Sequence, residues 1–489
     1  MARDDTPTDH RVTFVVLCLG VSAFSLLQSM VNPVLPTIEQ ALHTDQRTVS
    51  WVLTAYLLSA SVFTPIVGRV GDKIGKERML VFTLGALTVG SVIAALAPTI
   101  GVLVFARVVQ GIGGGVLPLT FGIIRDEFPH ERVAGAIGTA AALLAVGGGL
   151  GLVLAGPVVD LLSYHWLFWL PGIMTLGAAV ASHLVVPESP VRTPGRINVL
   201  TSLLLSAWLV CLLLPMSQGQ AWGWTSGRTV GLLAAAVVLA VLWVVAEARS
   251  DAPLIDMRMM RVPAVWTTNL VALLFGVGMY SLFAFLPQFL QTPESAGYGF
   301  AVSVTVSGLL LLPQAGMTFL AGIASGRLAA RHGSKRVLSF GSGLNALCLL
   351  GLTVAHDRIW QVLIVTTLMG VAFGLAFAAM SNLVVESVPV TQTGVASGMN
   401  ANIRTVGGAL GGAILASVIT AHLRPDGLPP ESGYTHGFLF LTLAAVAATV
   451  MTLLVPVYRG REPETFPGEV RHPELAVIPA GTLVSDTDR

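Results

Sequence analysis

Two arginines sit inside long apolar runs, Arg107 in "ARVVQGIGGGVLP" and Arg404 in "NANIRTVGGALGG". A guanidinium keeps its proton at physiological pH, so neither is a proton carrier; each would bind an anion or bias a carboxylate or a water. At helical spacing Arg107, Gly111, Gly114 and Pro118 share one face, with Gln110 beside it. Arg404 follows Asn400 by one turn and precedes Gly407, Gly408 and Gly411. A charge within a membrane span is costly and belongs in a bundle interior or beside a water-filled cavity. Arg107 also has a bland reading: it lies about six residues into its run, roughly 9 Å, within reach of snorkelling to the surface. The uncharged cavity candidates are Ser25, Gln28 and Asn32 in the first run, with Gln288, Gln314, Asn382 and Asn400 later. Each of these alone suits an ordinary interhelical hydrogen bond equally well.

A third concentration of polar chemistry is "GRVGDKIGKER", residues 68–78, with Arg69, Asp72, Lys73, Lys76, Glu77 and Arg78 crowded between two apolar segments. Asp72 is placed to cap a neighbouring helix N-terminus or to pair with a cation. Gly68 and Gly75 permit close backbone approach. A basic turn that merely fixes topology would need Lys and Arg, not the acid or the glycines. The segment recurs as "GRLAARHGSKR" at 326–336, pairing Gly68, Arg69 and Gly75 with Gly326, Arg327 and Gly333 at an offset of 258, but with Ala330 where the first copy has Asp72. A second match, at offset 260, pairs Pro129, Gly138, Gly147, Gly148 and Gly151 with Pro389, Gly398, Gly407, Gly408 and Gly411. The chain therefore reads as two related halves, a build in which the binding site falls near the midplane between repeats.

The elements that must position these groups are membrane helices. The 489 residues are 54% hydrophobic and only 11% charged, with a mean hydropathy of +0.78, too apolar for a soluble domain. A net charge of +1 leaves no nucleic-acid footprint. Fourteen runs are long enough to span a bilayer: 12–36, 49–68, 79–97, 101–124, 133–158, 166–186, 198–216, 229–246, 264–290, 301–325, 337–355, 360–385, 394–421 and 437–457. The period-two alternation of a membrane barrel is absent. The first run exceeds a signal-peptide core and is expected to remain as a helix. With the N-terminus inside, 21 of the 27 Lys and Arg residues fall in inside segments and four in outside loops (Arg47, Arg228, Arg358 and Arg424). That bias places both termini in the cytoplasm and 68–78 in a cytoplasmic turn. Cys18, Cys211 and Cys348 lie in apolar runs without metal-ligand spacing, and the histidines do not cluster, so no metal is expected.

The loop at 68–78 resembles the signature loop of the major facilitator superfamily, and Arg107–Pro118 resembles that superfamily's helix-four motif. "WVLTAYLL" at 51–58 and "NPVLP" at 32–36 resemble helices two and one of its drug:proton antiporter branch. The glycine series Gly147, Gly151 and Gly156, with Pro157 nearby, is similar to the helix-five antiporter motif, although Leu152 and Ala155 replace a Pro and a Gly. Leu27 stands where the family usually carries an acid five residues before Asn32. The resemblance implies an all-α membrane protein of the fourteen-helix drug efflux branch. Two six-helix bundles, 12–186 and 263–457, would be joined by a linker with an inserted helix pair, 187–262, with a cytoplasmic N-terminus, 1–11, and a disordered tail, 458–489.

It further implies proton-coupled export of small amphipathic, drug-like or antibiotic molecules across the cell membrane. Asp72 would latch the cytoplasmic gate together with Gly68, Arg69, Gly75, Lys76 and Arg78. Arg107, Gln110 and Arg404 would serve transport and coupling, and Gly111, Gly114 and Pro118 helix packing. A monomer is expected, with protons, lipid and a small-molecule substrate as its partners and no further cofactor. A metabolite importer or exchanger on the same scaffold, or a non-transporting membrane sensor, are the competing readings. "GIGGG" at 111–115 lacks both the spacing and the strand–turn–helix context of a dinucleotide loop, and no Walker A pattern occurs, which argues against an ATP-driven pump. None of the 26 acidic residues falls near a predicted bilayer centre, so a membrane-embedded enzyme is not expected.

Overall fold

The computed structural model describes residues 10–189, 198–250, 253–422, 424 and 428–456, and every regular element among them is helical. Fourteen of these helices are long and apolar enough to cross a membrane. The first half runs α1 His10–Ser29, α2 Trp51–Ile74, α3 Lys76–Ala95, α4 Ile100–Glu127, α5 His130–Leu161 and α6 Trp166–Val185. The pair α7 Val199–Trp222 and α8 Gly227–Ala248 comes next. The second half runs α9 Pro263–Gln291, α10 Val304–His332, α11 Ser334–Val354, α12 Ile359–Glu386, α13 Thr393–Ile419 and α14 Glu431–Leu454.

Three local features depart from the sequence reading. The expected turn at 68–78 is mostly helix: α2 continues to Ile74, α3 restarts at Lys76, and Gly75 alone reverses the chain at φ 124°, a conformation open to glycine but strained for other residues. Charged side chains do not stop a helix whose backbone is already satisfied, so Asp72 sits on α2 rather than in a loop. The first apolar run is also shorter than 12–36. It ends at Ser29, because Pro33 and Pro36 divide the remainder of the run into a 3₁₀ turn, Asn32–Val34, and a short helix, Leu35–Ala41. Within α4, the glycine run becomes a 3₁₀ turn, Ile112–Gly115, between Ile100–Gly111 and Val116–Glu127.

The two halves meet along two seams. α5 packs against α10, with Gly138 against the backbone of Gly322 and Gly149 against Ala315. α2 packs against α13, where Gly398 lies on the backbone of Thr64 and Pro65. Small residues allow this approach, and dispersion across it replaces the solvent-driven burial of a soluble core.

The extra pair is peripheral. α8 buries only Thr229, Ala236, Trp243 and Glu247, whereas α7 touches both α2 and α13. It makes polar contacts with α2: the Ser217 and Thr54 hydroxyls are 2.6 Å apart, and Gln218 Nε2 donates to Thr54 Oγ1 at 3.2 Å. Leu205, Leu209 and Leu213 of α7 share an apolar cluster with Val395, Ala396 and Met399 of α13. Glu247 accepts from Trp243 Nε1 at 3.3 Å and from the Leu254 amide at 2.9 Å, fastening the segment that leads into α9 to α8.

Candidate functional site

Between the halves lies a cavity of about 200 Å³, lined from α1, α5, α9, α10 and α12. Its wall is mostly aromatic and apolar, with Met279, Tyr280, Phe283, Phe373 and Phe377 prominent. Phe283 packs edge-on to Phe373, centroids 5.9 Å apart. Polar groups enter from two residues of α10, Gln314 and Thr318, and three of α1, Ser25, Gln28 and Ser29. The Nε2 of Gln314 has no hydrogen-bond partner. Ser25 instead donates to the Leu144 carbonyl, and Ser29 to that of Gly147 at 3.1 Å, holding α1 to α5. Among the described residues no Asp or Glu lines this cavity. Such a surface can hold an organic molecule with apolar faces and a few polar groups.

At the end of the bundle bearing residues 68–78, here called the basic end, the halves are fastened together. Asp72 is 1% exposed, and its Oδ2 accepts from the Val395 amide at 3.1 Å, beside the N-terminus of α13. Lys76 stands 3.7 Å from the other Asp72 oxygen and donates to Asp126 at 2.6 Å. Ser189 also donates to Asp126. Gly68 lies so close to the Gly394 carbonyl that a Cβ there would clash with backbone. Arg78 pairs with Glu188 at 3.1 Å. In the second copy of the motif, Gly326 packs on Gly135, Gly333 reverses the chain at φ 86°, and Arg327 is exposed.

Sequence reasoning passed over Arg125, which it counted only as a basic-end charge. Its guanidinium crosses from α4 to the second half, donating to the Val388 carbonyl at 2.7 Å, Thr393 Oγ1 at 2.6 Å and the Pro389 carbonyl at 3.4 Å. Pro389 is the repeat partner of Pro129, so the duplication had already marked the segment that Arg125 grips. Asn402, also passed over, donates to the Ser61 carbonyl at 3.0 Å and closes the same seam.

Arg107 is fully buried and does not reach the cavity. It is held inside the first half: Nε donates to the Val52 carbonyl at 3.1 Å, Nη1 to Gln110 Oε1 at 2.7 Å, and the guanidinium lies 4.2 Å from the Tyr56 ring centroid. Gln110 donates onward to Ser91 at 3.1 Å. The snorkelling reading is excluded by zero exposure. Gly111 and Gly114 seat α4 against Ser59 and Thr64, and Gly147 and Gly151 seat α5 against Ser25 and Ser29. Gly156 faces Thr305, and Pro157 is exposed within α5.

Three of the cavity candidates lie elsewhere. Gln288 is exposed, because its place on α9 turns it away from the second half's interior. Asn382 is buried near the basic end, donating to the Ala134 carbonyl at 3.3 Å. Asn400 donates to Asn269 at 2.9 Å, within the second half. The side chain of Asn32 lies outside the described residues. Leu27, at the family's acidic position, is fully buried in the apolar core.

Two related helical halves, closed on each other at one end around an apolar chamber, define a membrane transporter. The chain belongs to the Major Facilitator Superfamily: that family model matches residues 17–411 and again 270–484, the second match falling on the repeated half. It is 28% identical over 418 residues to the tetracenomycin C resistance and export protein of Streptomyces glaucescens, covering 84% of this chain and 76% of that one. It is 28% identical over 419 residues to the multidrug resistance protein Stp of Mycobacterium tuberculosis, with the same coverage. In structure it resembles the human organic anion transporter TETRAN, with a TM-score of 0.69 over 91% of this chain and 99% of that one, at 16% identity. The fold is thus that of a major facilitator, and its relatives in sequence are drug-resistance and export proteins.

Proposed function

We propose that the protein is a secondary active exporter that moves small amphipathic, drug-like molecules out across the cell membrane in exchange for protons. The observation that carries this reading is the aromatic cavity between two halves that are latched at the basic end. Relatives that export tetracenomycin C or confer multidrug resistance point the same way. The distribution of Lys and Arg supports the basic end as the cytoplasmic one. Rocking of the halves would break the Asp72 and Arg125 contacts and open the cavity inward. Asp72 serves as the coupling carboxylate: it is buried and accepts across the halves from the Val395 amide, whereas Asp126 is engaged by Lys76 and Ser189 and Glu386 is exposed. Overexpression should raise resistance to a subset of a broad toxin panel, and a protonophore should abolish the gain. Resistance unaffected by the protonophore removes proton exchange from the reading.

The sidedness has its own test. In a cysteine-free background, Thr225→Cys, between α7 and α8, should react with an impermeant maleimide added to intact cells. Arg258→Cys, between α8 and α9, should react only after permeabilisation. Both positions are exposed, whereas neighbouring Ile255 is fully buried and would not report. Labelling of position 258 from outside would invert the topology.

Substrate charge follows from the same cavity. A buried cation needs a partner, and among the described residues no carboxylate lines this wall. Neutral or acidic amphipathic compounds should therefore be exported in preference to permanent monocations. In proteoliposomes of purified protein with an imposed proton gradient, ethidium efflux should stay near the protein-free background. Robust, gradient-dependent ethidium efflux would refute the assignment.

A further inference from the structure

Between the cavity and the basic-end gate lies a second, much smaller chamber. Its volume is about 10 Å³, and it is walled by Pro118 and Phe121 of α4 on one side and by Ser381, Ser397, Asn400 and Arg404 on the other. Three helices give the same axial order. On α12, Phe373 and Phe377 line the cavity, Ser381 and Val384 the chamber, and Val388, just beyond the helix, receives Arg125 at the gate. On α13, Val395 is at the gate and Ser397 to Arg404 line the chamber. On α4, Pro118 and Phe121 line the chamber and Arg125 is at the gate. Arg404 thus stands about 13 Å inward of the Asp72 latch by helical rise.

Arg404 is 3% exposed, and its Nε has no hydrogen-bond partner. Its guanidinium lies over the Phe377 ring, 4.3 Å from the centroid, and Tyr280 is its polar neighbour. Phe377 and Tyr280 also line the cavity, so two aromatic rings divide the charge from it. The Ser397 hydroxyl, in the same chamber, is also without a partner. Among the described residues no carboxylate pairs with Arg404, so its guanidinium keeps a charged donor free for an anion. A void of this size holds about one water, not a carboxylate or sulfonate. One wall of the chamber comes from the first half and the other from the second, so parting of the halves at the gate must widen it.

We infer that Arg404 is the anion-binding subsite of an entry chamber, taking the acidic group of a substrate while the basic-end gate is open. Closure shrinks the chamber and transfers that group past Phe377 into the central cavity. The inference rests on the acidic-substrate reading above and locates it at one residue. Arg107, whose Nη2 is likewise unpartnered, lines neither the chamber nor the cavity and has no part in it.

Equilibrium binding of naphthalene-2-sulfonate and its neutral analogue naphthalene-2-sulfonamide to the purified full chain tests this. The wild type should bind the sulfonate at least tenfold more tightly. Arg404→Gln should abolish that preference and leave sulfonamide affinity within about twofold, while Arg404→Lys keeps part of the preference. Phe377→Leu, which thins the partition and retains Arg404, should strengthen sulfonate binding severalfold. A sulfonate preference that survives Arg404→Gln overturns the subsite and leaves the acidic-substrate reading intact. Equal affinities in the wild type, or no binding of either compound, overturn both. Equal weakening of both compounds by Arg404→Gln assigns Arg404 to packing and rejects the subsite.

Discussion

Replacing Asp72 with Asn should leave the protein inserted and folded while cutting transport by roughly 10- to 100-fold. The size comes from the contact that is weakened. A hydrogen bond to a charged group contributes about 1.5–3 kcal/mol, and every 1.4 kcal/mol is tenfold in an equilibrium. The Asn carbonyl can still accept from the Val395 amide, which lies 3.1 Å from the native carboxylate, so the shape of the gate is kept. The substitution removes the negative charge that faces the α13 N-terminus and Lys76. The closed state loses stability, and with it the step that commits substrate to the far side. Ala330→Asp should do little, because position 330 is exposed and has no gate contact to strengthen. Initial rates in proteoliposomes at matched protein content decide the matter. Normal transport by Asp72→Asn would reduce the segment to a topology signal.

Arg107 should tolerate even less. Arg107→Lys retains a charge but cannot reach the Val52 carbonyl and Gln110 Oε1 together while lying flat on Tyr56. Two bonds from a charged donor, at about 1.5–3 kcal/mol each, place the expected loss of transport beyond about 100-fold. Arg107→Ala should be as inactive, since it leaves Gln110 and the Val52 carbonyl buried without their donor. Gln110→Ala, which removes one link and keeps the stack on Tyr56, should retain more activity than either. Transport and membrane yield measured together separate a failed machine from a failed fold. Full activity of Arg107→Lys would show that a point charge suffices there.

Much of the scaffold was legible because lipid leaves few options. Backbone groups must be satisfied within each span, so length and apolarity placed all fourteen helices. The limits of that reading were local. At 68–78 charge density suggested a turn, but only Gly75 breaks the helix, because backbone geometry rather than polarity stops a helix. Residues such as Asp72, Gln314 and Ser25 announce themselves by being polar where polarity is costly. Gln288, Asn382 and Asn400 carry the same signal and yet do not line the cavity, since the helix face each one presents is set by packing that no linear pattern encodes. The aromatic wall was invisible for the opposite reason: Phe283, Phe373 and Phe377 look like any lipid-facing residues until two halves are brought together. Arg125 was hidden by its neighbourhood, where a cation already has a topological explanation.

The peripheral helix α7 is pinned to α2 by hydroxyl and amide groups, and its leucines share an apolar cluster with valine, alanine and methionine of α13. Directional bonds resist sliding, whereas apolar contacts of similar area exchange partners at little cost. If α2 and α13 move apart and together in each cycle, α7 must travel with α2 while α13 slips along its leucine face. The extra hairpin then acts as a plain bearing: fixed to one moving part, greasy toward the other, and broad enough to keep lipid tails out of the seam at every angle.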